Sequence, residues 1–145
     1  MKGDPIADAH HVAHLCKAQH LLDDDSGGVG AAAFTFRESD TDGLSCNWLE
    51  HINALRPDQL NQIRSLMRLK LKRSHRLAIV NCGKARRRIR DSVSHELSII
   101  EDPLMPEGNW PADPSHTLIE RPAPDLLEQL AVELATIAEV EPAIP

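Results

Sequence analysis

The chain has 145 residues, 41% of them apolar and 26% charged, with 16 Lys and Arg set against 22 Asp and Glu for a net charge of −6. That length and mixture suit one globular domain with a modest core, and exclude wholesale disorder. Aromatics are scarce (Phe34, Phe36, Trp48, Trp110 and no tyrosine), so the core is expected to be aliphatic, and the net charge taken alone argues against a generic binder of nucleic acid or anionic membranes.

Residues 1–25 read as a His-rich segment, helical or irregular, running into an acidic turn at Asp23-Asp24-Asp25-Ser26-Gly27-Gly28. Met1 to Asp8 lacks the apolar stretch of a secretion signal, and no run approaches the ~20 apolar residues of a membrane helix. Residues 31–37 alternate as a strand, with Phe34 and Phe36 on one face, and 44–49 reads as its hairpin partner across a turn at Glu38 to Gly43. Pro57 and Asp58 then open a helix whose Leu60, Ile63, Met67 and Leu71 carry it to about Arg73–His75. Leu77 to Cys82, closed by Gly83, has the continuous apolar character of a strand covered on both faces.

Residues 84–95 are polar and read as a basic loop, followed by a strand at Leu97 to Ile100. Six prolines between Pro103 and Pro124 predict an irregular loop over 103–124, with Trp110 pinned against the body of the protein. The last helix, over 125–140, is capped by Asp125, striped by Leu127, Leu130 and Leu134, and stopped by Pro142. The expectation is a single α+β domain over 1–145, with three or four strands, two or three helices and a proline-rich loop.

Cys16, Cys46 and Cys82, odd in number and without CxxC spacing, read as reduced thiols of a cytoplasmic protein, with Cys46 and Cys82, each a conceivable nucleophile, expected instead to be buried like small apolar groups. The basic residues are strongly segregated. Arg64, Arg68, Lys70, Lys72, Arg73, Arg76, Lys84, Arg86, Arg87, Arg88 and Arg90 are 11 of the 16, with no acid between Arg64 and Arg90, so the remainder carries 5 basic against 22 acidic groups, or −17. Flanking one strand, these cations would form an anion-binding surface for an acidic partner protein or a phosphate backbone. The stretch has no aromatic residue to stack on bases, and the same cations could equally pair with the chain's own acids.

A second constellation could carry chemistry. His10, His11, His14 and His20 crowd the N-terminus, and on a helix His10 and His14 would share a face as two metal ligands, with His95, His116 or Asp113 as a third. Two histidines do not make a finished zinc site, so neither metal nor cofactor is assigned. Asp113-Pro114-Ser115-His116 forms a turn in which His116 could serve as a general base. Together His10, His11, Ser45, Asn47 and His116 define a candidate catalytic set for a small hydrolase or transferase. The leading expectation is instead an accessory or interaction module acting through its basic surface.

The run Leu44-Ser45-Cys46-Asn47-Trp48-Leu49-Glu50, the apolar strand ending in Gly83 and the Asp113-Pro114-Ser115-His116 loop, in that order, resemble small uncharacterised bacterial proteins that share an LSxNWLE run and a DPSH loop. That resemblance implies a bacterial cytoplasmic protein working within an operon-encoded system, and carries no catalytic role with it.

Overall fold

In the computed structural model, which describes residues 1–20 and 28–144, the chain is α+β: one antiparallel sheet carries helices on both faces. The elements are β1 (His11–Cys16), β2 (Gly43–Trp48), α1 (Arg56–Leu66), β3 (Arg76–Asn81), α2 (Cys82–Val93), β4 (Ile99–Glu101), β5 (His116–Glu120), α3 (Leu127–Ile137) and β6 (Glu139–Pro142). The strands lie in the order β4-β5-β2-β1-β3-β6. Six strands, rather than three or four, make the sheet.

The strand expected over 77–82 is β3, and its composition follows from its place. Ala78 and Val80 pack beneath α2 and α3, whereas Leu77 and Ile79 meet Leu60 and Ile63 of α1, so neither face of the strand can be polar. α2 and α3 share one side of the sheet, where Ile89, Leu130, Leu134 and the buried Phe34 close the larger core over Val12, Leu44, Cys46 and Ile119. α1 covers the opposite side only over β1 and β3. It leaves Ser45 and Asn47 of β2 and His116 of β5 uncovered on that side, and this partial coverage creates the site.

Several expectations give way. The N-terminal histidines lie in or beside a strand, not a helix: β1 pairs with β3 from His11↔Asn81 to Cys16↔Arg76 and with β2 at Val12↔Trp48 and Ala13↔Asn47. Residues 31–34 form a short 3-10 helix that buries Phe34 against α3, so the partners of β2 are β1 and β5 rather than 31–37. α1 stops at Leu66, and the extended backbone at Met67 turns that side chain into the smaller core.

The basic loop over 84–95 is α2. The Asn81 side chain accepts from the backbone N–H of Lys84 as its N-cap, and Cys82, Ala85 and Ile89 supply a narrow buried stripe. Within the proline-rich segment, β5 fits between Pro114 and Pro122. Residues 104–113 make a small hairpin bridged at Leu104↔Asp113 and Glu107↔Trp110, and Trp110 stays 43% exposed at its tip. Asp125 is not the cap of α3, whose N-cap is Leu126 with no side-chain hydrogen bond. Beyond α3, residues 139–142 pair with β3 as an edge strand. The acidic turn expected over 23–28 falls, except for Gly28, outside the described residues. No helix among them is long and apolar enough to cross a membrane.

Candidate functional site

β2 and β5 pair in the register Asn47↔His116 and Ser45↔Leu118. Alternation along each strand puts Ser45, Asn47 and His116 on one face, with Asn47 and His116 directly opposed. All three line a cavity of about 260 Å³, walled by Ala13 and Leu15 of β1, residues 66–69 at and just beyond the end of α1, and Leu104 and Asp113 at the base of the hairpin.

The floor is a buried polar network. Asn47 Nδ2 donates to Asp113 Oδ2 at 2.8 Å and to Ser115 Oγ at 2.9 Å, while Ser115 donates to Asp113 Oδ1 through its hydroxyl at 2.7 Å and its backbone N–H at 3.1 Å. The Asp113 carboxylate, 3% exposed, is therefore held by neutral donors alone and has no cation partner among the described residues. That arrangement replaces lost hydration without cancelling the charge.

His116 Nδ1 lies 2.9 Å from the Asp102 carbonyl oxygen and 3.1 Å from Asp102 Oδ2. Both neighbours are acceptors, so Nδ1 carries the proton. In the neutral ring Nε2 is then an unprotonated lone pair, with no hydrogen-bond partner among the described residues. Asp102 went unrecognised in the sequence. It reaches His116 because β4 and β5 pair at Glu101↔Thr117, a long-range register with no local signal. Arg68, also on the cavity wall, is turned toward the hairpin: Nη2 donates to the carbonyls of Met105 (2.6 Å) and Pro111 (3.0 Å), and Nη1 to Glu107 (3.3 Å).

The structure thus gathers Ser45, Asn47 and His116 but leaves His10 and His11 elsewhere. His10 Nδ1 accepts from the Trp48 indole at 3.0 Å, and His11 faces Glu50 through Nδ1 at 2.7 Å and its own backbone N–H at 2.6 Å. Neither lines the cavity. The pairing of His10 with His14 as metal ligands fails because four residues of extended chain span about 13 Å. His14 instead stacks on Phe34 and bonds the Ser45 carbonyl at 2.8 Å. Burial pushes the thiols of Cys16 and Cys82 up to about 12 and raises that of Cys46 as well, so none is an activated nucleophile.

The basic stretch does not form one surface. Arg64, Arg68, Lys70, Lys72, Arg73 and Arg76 precede or open β3 on the side of α1, whereas Lys84, Arg86, Arg87, Arg88 and Arg90 follow β3 on α2, across the sheet. Several are already engaged: Arg86 with Asp8 at 2.7 Å, Arg88 with Glu133, Arg64 with the Pro142 carbonyl at 2.6 Å, and Arg76 with the carbonyls of Arg73 and His75.

Comparison with known proteins yields no matching family model, no matching curated protein and no matching solved structure. The functional reading therefore rests on the geometry of the site.

Proposed function

We propose that the chain is a small hydrolase or transferase in which His116 is the general base, acting on a ligand held in the cavity over β2 and β5. The observation that carries this reading is the pair of Asp102 acceptors on Nδ1, which makes Nε2 the basic nitrogen of a ring that lines the cavity. Ser45, exposed on the same face and one step diagonal to His116, is the hydroxyl available to a ligand or as its acceptor group. The candidate set narrows to Ser45, Asn47 and His116. The test is turnover of a panel of small esters, amides and phosphate esters by wild type, H116Q and S45A. H116Q is expected to lose about 10²–10⁴-fold, and full activity in H116Q would refute the reading.

A second reading keeps the interaction module of a bacterial cytoplasmic system, now confined to α2. It is favoured by Lys84, Arg87 and Arg90, which are exposed and have no ion pair or hydrogen bond through their side chains among the described residues. An acidic protein or nucleic acid docking there should bind with marked salt dependence. For three neutralised phosphates the log–log slope is about −3, and salt-indifferent binding excludes it.

A further inference from the structure

We infer that the cavity selects a small amine, with an ammonium head seated against Asn47 and His116 and an apolar body along the leucine-lined wall. This inference rests on the reading of the cavity as the ligand site, and adds what that ligand is.

The orientation of Asn47 decides the character of the site. The Ser115 hydroxyl has one proton and gives it to Asp113 Oδ1, so toward Asn47 it can only accept. Asp113 Oδ2 likewise can only accept. Both amide hydrogens of Asn47 are thereby consumed, and its carbonyl oxygen is the atom left without a partner. Directly across the strand pair stands His116, whose Nε2 is a second acceptor in the neutral ring. Two acceptors on cross-strand neighbours, with Ser45 lining the same cavity, call for a ligand head that brings several donors. A primary ammonium brings three. A carboxylate or phosphate brings none and would meet lone pairs.

Charge points the same way. Asp113 lies at the floor, uncompensated, and Asp102 lies behind the neutral His116 ring, with the exposed Lys2 at 3.6 Å as its cation. The one cation among the described lining residues, Arg68, directs both Nη atoms at the hairpin carbonyls and Glu107 and buries Nε without a hydrogen-bond partner, so a single guanidinium stands against the two carboxylates. The corner formed by Asn47 and His116 is therefore negative, in surroundings where a buried charge acts strongly. Beyond it the wall is apolar, formed by Leu15, Leu66, Met67 and Leu104. A cavity of about 260 Å³ is smaller than those that take drug-sized molecules, so the ligand is small.

The test compares n-butylammonium, n-butanol and n-butyrate at pH 7.5 and constant ionic strength, following the backbone amides of Ser45, Asn47 and Thr117 and the Asn47 side-chain amide by NMR. Butylammonium should bind saturably at these residues, with a Kd at least 10-fold below that of butyrate. Leu69 is 40% exposed at the cavity rim, so its substitution leaves the core alone while changing the local charge. L69K should weaken butylammonium at least 5-fold, and L69E should not weaken it. Butyrate or butanol binding as well as the amine overturns the amine inference but leaves the site standing, as does an L69K variant with unchanged affinity. If none of the three probes shifts these residues, the inference and the ligand-site reading fall together.

Discussion

Asn47 and His116 face each other across β2 and β5, yet each is held by a different acidic residue: Asn47 by Asp113 and His116 by Asp102. The two supports flank the 104–113 hairpin. Asp113 ends the hairpin, and Asp102 precedes it, just after β4. Two cross-strand neighbours thus present ordered side chains on the part of the sheet face that α1 leaves uncovered.

That relationship sets the cost of disturbing the floor. Asn47→Ala removes a donor from a buried carboxylate, leaving Asp113 partly unsatisfied, and should destabilise by about 1–3 kcal/mol. Ser115→Ala removes a further donor from the same oxygen pair, so the double variant should depart from additivity. Urea unfolding of the two single variants and the double variant measures both effects.

Glycine 43 opens β2 against β5, where a Cβ would stand 2.3 Å from the Ile119 carbonyl oxygen. Neither backbone can yield without breaking the ladder, so Gly43→Ala should cost on the order of 3 kcal/mol. At Gly83, a Cβ would approach both the backbone oxygen and Cβ of Asp8 to 2.9 Å, a smaller overlap than the 2.3 Å at Gly43. The milder loss is expected there, and thermal melts of the two variants give the ranking.

Acid should weaken the fold through histidine. Burial lowers the pKa of His14, stacked on Phe34, and that of His75, near Lys72 and Lys17, below the ordinary 6.5. His75 Nδ1 also accepts from the Lys72 backbone N–H, which requires an unprotonated nitrogen. Between the lowered folded values and 6.5 the unfolded chain binds more protons, so stability rises with pH across that window and is lost as pH falls through it. Denaturant midpoints should be level above about pH 7.5 and decline toward pH 5. H14Q and H75Q should flatten the decline, and a midpoint constant from pH 7.5 to 5 contradicts the account.

Arg68 ties the hairpin to the end of α1 through Met105, Glu107 and Pro111. Arg68→Ala should free the tip locally while sparing the core. Limited proteolysis should then cut within residues 105–111 faster than in wild type, with far-UV circular dichroism unchanged. Equal cleavage rates would remove the latch from the description.

Part of this could be read from residue order. The continuous apolar run of β3 and the helical stripes of α1 and α3 are local patterns imposed by burial, and all three elements form, although α1 ends at Leu66, short of Met67 and Leu71 in its expected stripe. β1 and α2 escaped for a shared reason. β1 is covered on both faces yet carries three histidines in or beside it, so its periodicity is blurred. α2 buries mainly Cys82, Ala85 and Ile89 beneath a crowd of arginines. β5 needs only five residues between prolines, because its hydrogen bonds come from β2 and β4 rather than from its own neighbours.

By itself the sequence determined the α+β class, the aliphatic core, the buried thiols and three of the side chains that meet in the cavity. Only the tertiary structure decided that Ser45, Asn47 and His116 share a face apart from His10 and His11, that Asp102 stands behind His116, and that the cations divide across the sheet. Burial leaves a periodic mark on neighbouring residues, whereas strand register joins residues such as Asn47 and His116 whose separation along the chain carries no such mark.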